Sequence, residues 1–177
     1  MARIFCKWVL DLLGWKVHGI AHIHNTNKAV LVVAPHTSNW DFFLAIFVRN
    51  AYEFDSRFLA KASLFTPPLN YLFKWLGGYP VDRKSKSDLV QQCIDIFNNH
   101  DRFLLSLAPE GTRKGTGNFK SGFYHIAIGA NVDIILTTFD FEHRIVSFEP
   151  CFDLTGDVKE DILRIEKYFE GVKGKNS

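Results

Sequence analysis

A histidine and a carboxylate stand five positions apart in this chain, at His36 and Asp41. About seventy residues later, Glu110 and Arg113 flank a glycine turn. A histidine that a carboxylate orients can act as a general base, and fixed positive charge can hold an anionic substrate. These residue types together suit the transfer of a group to a hydroxyl.

The spacing of His36 and Asp41 restricts the local structure. Residues five positions apart do not face each other on a regular helix, whereas residues three or four apart do. The preceding proline favours an extended backbone before His36, and Ser38 or Asn39 can cap a helix that carries Asp41. The histidine would then lie in the loop and the carboxylate in the first helical turn, within hydrogen-bonding reach. The alternative is that Asp41 only stabilises the helix N-terminus and His36 is an ordinary loop histidine.

With these residues the chain resembles the lysophospholipid acyltransferase family, which includes the 1-acyl-glycerol-3-phosphate acyltransferases. The family's motifs occur here in order, at His36 to Asp41, Gly77 to Arg83, Pro109 to Arg113 and Phe119 to Gly122, with Lys61 preceding the second motif. Two departures bear on substrate choice. The third motif usually opens with an aromatic residue where this chain has Ala108, and the apolar fourth motif, residues 132–139, lacks its usual proline.

The resemblance implies roles for these residues. His36 would remove the proton from an acceptor hydroxyl, and Asp41 would orient its ring. The activated oxygen would attack the thioester of acyl-CoA or acyl-carrier protein, a co-substrate, so no cofactor, no metal and no covalent acyl-enzyme are expected. Gly111 would allow close backbone approach and could offer its amide to the oxyanion. The residues implied in substrate binding, with their cations on the acceptor phosphate, are Lys61, Arg83, Glu110, Gly111, Thr112 and Arg113.

Composition sets limits on the function. The 177 residues are enough for one domain with a substantial core, and an apolar share of 47% excludes a disordered chain. A net charge of +2 gives little general attraction to nucleic acid. Cys6, Cys93 and Cys151 are too widely spaced to indicate a zinc site or a disulfide framework. No apolar run approaches the roughly 20 residues of a membrane-spanning helix.

Residues 1–15 predict an amphipathic helix, with Arg3, Lys7 and Asp11 on its polar face. Such a helix is typical of a protein that lies in the bilayer interface, and equally of a helix packed on its own domain. We therefore expect a cytoplasmic protein peripherally associated with the inner face of the membrane, with no nucleic-acid partner. The apolar positions of the helix are Ile4, Phe5, Trp8, Val9, Leu12 and Leu13.

Strand and helix patterns alternate through residues 16–170, which predicts an α/β domain with a single mixed sheet flanked by helices. Strands are expected to end at Ala34, Val81 and Leu107, just before three of the motifs, so that their loops converge on one cleft. The segment Lys16 to His24 has the pattern of a single strand, and residues 171–177 have that of a frayed tail.

The resemblance thus implies transfer of a fatty acyl group from acyl-CoA or acyl-carrier protein to the free hydroxyl of a lysophospholipid such as lysophosphatidic acid. Two alternatives stay open. A thioesterase-like hydrolase would use the same base on water. A non-catalytic, peripheral lipid-binding module is favoured if His36 and Asp41 lie far apart.

Overall fold

The computed structural model of the chain describes residues 2–82, 86–111 and 118–176. Within these residues one sheet contains seven strands, and helices cover both of its faces. The strands are β1 (Lys16–His18), β2 (Lys28–Ala34), β3 (Ser56–Lys61), β4 (Gly78–Val81), β5 (Phe103–Leu107), β6 (Asp133–Asp140) and β7 (Ile145–Cys151). The helices are α1 (Ala2–Leu12), α2 (Ile20–Asn25), α3 (Trp40–Ala51), α4 (Leu69–Trp75), α5 (Lys86–Asn98), α6 (Gly122–Ala130) and α7 (Val158–Phe169), with a short 3₁₀ helix at Ala62–Phe65.

The strand order across the sheet is β1-β7-β6-β2-β5-β3-β4. Strand β7 runs antiparallel to β6, and the other neighbouring pairs are parallel. This is a mixed sheet flanked by helices, so the predicted fold class is confirmed. The antiparallel β6–β7 pair also has the hairpin connection that its short intervening segment allows.

The central strands are apolar along their whole length because both of their faces are covered. Successive side chains of β2 point to opposite faces. Val30 and Val32 pack with α5, α6 and α7 on one face, whereas Leu31 packs with α1 and α3 on the other. The core therefore consists of two layers, one on each side of β2, β5 and β6.

The carboxyl ends of the central parallel strands bring two of the motifs together. Strands β2 and β5 are direct neighbours, with Val32 opposite Leu107. The segments that follow them, which carry His36 and Glu110, therefore leave the sheet at the same edge. This is the usual position of a site in an open α/β sheet.

The prediction of one strand from Lys16 to His24 is wrong in its second half. Strand β1 ends at His18, and α2 follows from Ile20. Gly19 adopts a left-handed backbone with φ of 69°, and a Cβ there would collide with the backbone carbonyl of Phe148. A glycine in that conformation ends the strand, so the residues from Ile20 onward belong to α2.

Helix α1 packs on α3 through a narrow stripe. Cys6 and Leu10 are buried, whereas Ile4 is 75% exposed and Trp8 is 58% exposed. Most of the bulky apolar face predicted for this helix is therefore turned away from the core. Among the helices of the described chain, none is both long enough and apolar enough to cross a bilayer.

The terminal segment differs from the frayed tail that the sequence predicts. The carbonyl of Lys173 accepts a hydrogen bond from the backbone N–H of Phe141 at 2.8 Å. The backbone N–H of Asn176 donates to the hydroxyl of Thr37 at 3.2 Å. These long-range contacts hold residues 171–176 against the domain, close to the loop that follows β2.

A buried carboxylate organises the start of α7. Asp161 accepts hydrogen bonds from the backbone N–H groups of Thr155 and Gly156 and from the hydroxyl of Tyr124, and Arg164 donates to it at 2.8 Å. Burial by itself would raise the pKa of Asp161, but the hydrogen bonds from Thr155 and Tyr124 outweigh it and hold that pKa below its ordinary value.

The substitution Asp161→Asn is expected to lower the free energy of unfolding at pH 7 by about 3 kcal/mol, because a buried amide cannot accept all of these donors. The folded-state pKa is depressed, so the ionised carboxylate stabilises the fold above its unfolded pKa, and this contribution is lost as the pH falls through the folded pKa.

Urea unfolding of both proteins from pH 7 to about pH 3 should show that the difference between their free energies of unfolding becomes smaller toward acid pH. The exposed control Asp11→Asn should change stability by less than about 0.5 kcal/mol. A difference that did not depend on pH would contradict the role of the charge.

Candidate active site

The loop between β2 and α3 brings His36 and Asp41 together. His36 Nδ1 lies 3.0 Å from Asp41 Oδ2. The Asp41 side chain is 2% exposed and that of His36 is 24% exposed, so a buried carboxylate contacts a partly accessible ring. Asp41 lies in the first turn of α3 and His36 in the preceding loop, the arrangement that their spacing predicts.

The same carboxylate shapes the loop. Asp41 Oδ2 accepts the backbone N–H of Thr37 at 3.0 Å and that of Ser38 at 2.9 Å. A negative charge at this position also suits the positive end of the helix dipole. Helix stabilisation and contact with His36 are therefore not exclusive, because one oxygen of Asp41 does both.

Glu110 holds the histidine from the other side. Its Oε1 accepts the backbone N–H of His36 at 3.2 Å, and the residue is 9% exposed. Burial raises the pKa of Glu110, the His36 N–H and ring lower it, the nearby Asp41 charge raises it again, and the net direction is upward. Its other oxygen, Oε2, is buried and has no hydrogen-bond partner within the described ranges.

His36 and Asp41 line a largely apolar cavity of about 960 Å³. This volume lies in the range of about 300–1,000 Å³ that is common for ligand sites. The cavity extends between β2, α3 and β3 toward the segment after β5. Its apolar lining includes Leu31, Val33, Phe42, Phe58, Leu59, Leu107 and Phe139.

Two arginines that the motif pattern did not single out also line this cavity, Arg49 and Arg57. The Arg49 guanidinium donates to backbone carbonyls, and burial lowers the pKa of Arg49. Arg57 pairs with Asp55 through a contact of 2.5 Å. The Arg49 side chain therefore links α3 to β3 and to the end of α4, whereas the positive charge of Arg57 at the cavity wall is neutralised by Asp55. The carbonyls that Arg49 binds belong to Ser56, Trp75 and Leu76.

Gly111 lines the cavity in a left-handed backbone conformation. Its φ of 67° favours glycine, and the flexible side chain of Lys120 lies over it. The Gly111 amide donates to the Ala108 carbonyl at 3.2 Å, so the turn already uses the group expected to serve the oxyanion. Lys61, at the end of β3, is exposed and is not among the residues lining the cavity.

Three expected binding residues, Arg83, Thr112 and Arg113, lie outside the described residues. The expectation that they hold an acceptor phosphate therefore stays a prediction. Among the residues that are described, no cluster of three or more histidine, cysteine or acidic side chains is placed to hold a metal ion.

The family is decided by residues 14–139, which match the model of the Acyltransferase family. This chain belongs to that family. The match spans both the His36–Asp41 loop and Glu110, so the predicted acyltransferase family is confirmed.

The curated relatives of this chain include several 1-acyl-sn-glycerol-3-phosphate acyltransferases. The protein from Streptococcus pneumoniae is 32% identical over 150 residues, which cover 78% of this chain and 54% of the relative. That from Haemophilus influenzae is 25% identical over 189 residues, covering 93% and 77%. That from Escherichia coli is 30% identical over 111 residues, covering 59% and 44%. The chain spans about half the length of the relatives from Streptococcus pneumoniae and Escherichia coli.

A solved structure has the same fold. The crystal structure of the 1-acyl-sn-glycerophosphate (LPA) acyltransferase PlsC from Thermotoga maritima aligns with a TM-score of 0.58 and 20% identity. The alignment covers 98% of this chain and 80% of that chain. The likeness extends over the whole sheet and its helices.

Two basic residues at or near the cavity differ in how well the sequence indicated them. Lys120 belongs to the Phe119 to Gly122 element, so a signal for it existed, although its position over Gly111 did not follow from spacing. Arg57 carried no signal, because an arginine beside an aspartate on a short strand is indistinguishable in sequence from an exposed ion pair.

Proposed function

We propose that this acyltransferase moves a fatty acyl group from a thioester donor, acyl-CoA or acyl-carrier protein, to the free hydroxyl of a lysophospholipid such as lysophosphatidic acid. The observation that carries the proposal is the 3.0 Å contact between His36 Nδ1 and Asp41 Oδ2 on the wall of an apolar cavity. The names of the curated relatives support a 1-acyl-glycerol-3-phosphate acceptor.

In this proposal His36 is the general base. With Nδ1–H donating to Asp41, the lone pair is on Nε2, which takes the proton from the acceptor hydroxyl. The hydroxyl oxygen bonds to the thioester carbonyl carbon, the carbon–sulfur bond breaks, and the thiolate takes up the proton from the imidazolium. Asp41 stabilises the positive ring that forms between these steps.

The remaining polar groups would bind the acceptor and hold the base. Glu110 fixes the His36 backbone, and its Oε2, which has no partner among the described residues, is available to a donor on the substrate or on Arg113. Arg83, Thr112 and Arg113 take the phosphate in this proposal, since guanidinium groups match phosphate oxygens in charge and shape. Lys61 is a weaker member of this set, because it does not line the cavity.

Peripheral attachment to a membrane surface is part of the proposal. Trp40 is 62% exposed and Phe43 is 50% exposed on α3, and Phe5 of α1 contacts Phe47 with ring centroids 6.4 Å apart. The exposed apolar side chains of α1 and α3 thus lie on neighbouring elements. Such a surface suits the interface where a lysophospholipid resides. The exposed apolar residues of α1 are Ile4, Phe5, Trp8 and Leu12, and the exposed Leu13 follows directly.

The test measures free-thiol release from a long-chain acyl-CoA with and without lysophosphatidic acid in mixed micelles. The acceptor is expected to raise release at least about tenfold and to yield phosphatidic acid in equal amount. A parallel reaction with acyl-carrier protein identifies the donor. Thiol release at the same rate with and without the acceptor would instead support a thioesterase-like hydrolase. Binding of both substrates without turnover of either donor would support a lipid-binding module.

A further inference from the structure

The chain segment 171–176, called here the C-terminal segment, lies directly on the loop that carries His36. The Asn176 backbone N–H donates to Thr37 Oγ1 at 3.2 Å, and Asn176 Nδ2 donates to the Thr37 carbonyl at 3.1 Å. Thr37 is thus bound through both its side chain and its backbone, one residue after the proposed base.

Gly174 lies against the loop that follows β2. It is buried, and a Cβ added to it would lie 2.5 Å from Thr37 Oγ1, 2.8 Å from Thr37 Cγ2 and 3.2 Å from Pro35 Cγ. Distances below about 3.0 Å force one of the two groups to move. The position therefore requires glycine because of space, and any side chain would push the C-terminal segment and the loop apart.

The C-terminal segment is anchored independently of the loop. The Lys173 carbonyl accepts the N–H of Phe141 at 2.8 Å, and Lys175 Nζ lies 5.9 Å from the centre of the Phe141 ring. The Val172 N–H donates to the carbonyl of Phe169 at the end of α7. The segment is thus attached to the end of α7 and to the turn between β6 and β7, so it can transmit their position to Thr37.

Thr37 links this contact to the reacting groups. Its backbone N–H donates to Asp41 Oδ2, the oxygen that lies 3.0 Å from His36 Nδ1. We infer that the C-terminal segment positions the catalytic loop, with Gly174 and Asn176 holding Thr37 so that Asp41 and the His36 ring keep their alignment. This inference rests on the proposed function. Gly174 and Asn176 are positioning residues, since they act through Thr37.

The first test compares kinetics of Gly174→Ala and Asn176→Ala with the wild type. We expect kcat to fall about tenfold for Gly174→Ala and about threefold for Asn176→Ala, because small displacements of a reacting group reduce rates steeply. KM values for acyl-CoA and lysophosphatidic acid should stay within about twofold, since neither residue is proposed to touch substrate. The thermal midpoint of Asn176→Ala should change by less than about 2 °C, whereas that of Gly174→Ala should fall by about 2–8 °C because the added methyl group overpacks a buried position.

The matched control is Asn99→Ala. Asn99 Nδ2 donates to the backbone carbonyl of Asp95 at 2.8 Å, so this variant removes the same kind of bond at the end of α5 and should leave kcat unchanged. In the double variant Gly174→Ala/Thr37→Ala the atoms nearest the new methyl group are absent, and part of the lost kcat should return. A loss of kcat in Asn176→Ala that came with a lowered thermal midpoint, or a loss in either variant that came with KM raised in proportion, would show a merely structural role and overturn the inference.

A second readout does not depend on activity. Solvent exchange of the His36 Nδ1 proton, followed by nitrogen-15 NMR and assigned with His36→Gln, should be about fivefold faster in Gly174→Ala than in the wild type. If the wild type transfers no acyl group, the proposed function fails, and the exchange rate alone still decides whether the segment positions the loop. If the wild type is active while kcat and exchange are unchanged in both variants, the inference fails and the proposed function stands.

Discussion

The substitution His36→Ala is expected to lower kcat/KM for acyl transfer by about 10⁴-fold, the upper end of what a positioned general base contributes. The fold should survive, because the bond from this residue to Glu110 uses the backbone N–H and is kept by alanine. The partly exposed ring leaves no large buried void when it is removed. Initial rates of thiol release in the presence of lysophosphatidic acid, with circular dichroism of the variant, measure both expectations.

The chain supplies its own control for this experiment. His143 Nδ1 lies 2.8 Å from Asp140 Oδ2 in the turn after β6, so it forms a second histidine–aspartate pair that does not line the cavity. The Asp140 hydrogen bond raises the pKa of His143, and the variant removes a histidine that is likewise paired with a carboxylate. The variant His143→Ala should retain wild-type kcat/KM. If His36→Ala lowered kcat/KM by less than about tenfold, the assignment of His36 as the base would be contradicted.

The second large effect is expected for Asp41→Asn, which should lower kcat by about 10³-fold with KM nearly unchanged. Asp41 Oδ2 receives donors from His36, Thr37 and Ser38. An amide that keeps its oxygen on the loop N–H groups also keeps it on the ring, because all three donors contact the same oxygen. The variant therefore removes the negative charge, and the imidazolium that forms when His36 takes the proton is no longer stabilised.

The matched control here is Asp140→Asn, which replaces the carboxylate of the exposed pair and should change kcat less than about twofold. Steady-state kinetics across pH 6–9 (a range of about 3 units around the histidine reference value) should show the Asp41→Asn deficit at every pH. If the Asp41→Asn rate were near the wild-type value, Asp41 would serve only the helix N-terminus. This is the alternative that the sequence leaves open.

Short-range features of this chain were predictable because their causes are local. Strand β5 ends at the predicted residue, Leu107, since a run of apolar side chains there lies between polar segments. The approach of His36 to Asp41 also follows from spacing, because a helix that begins at Trp40 and an extended residue before the loop leave few other paths. Those predictions needed no knowledge of distant residues.

The errors lie where distant packing decided between two local possibilities. The segment after His18 alternates well enough to suggest a strand, but Gly19 turns the chain against Phe148 and Ile23 becomes fully buried on a helix. A period of two and a period of 3.6 are hard to separate over nine residues. The contact of the helix with β7 resolves the choice, and that strand lies more than a hundred residues away.

The sequence by itself determined the family, the alternation of strand and helix, and the identity of a histidine and a carboxylate that meet across a short loop. Only the tertiary structure decided that Leu10 rather than Trp8 faces the core. It also decided that Glu110 accepts a hydrogen bond from the His36 backbone and that Asn176 donates one to Thr37. The physical reason is range. A turn or a periodic apolar stripe is set by neighbouring residues. These three outcomes instead depend on which surfaces of distant elements come together when the helices pack on the two faces of the sheet.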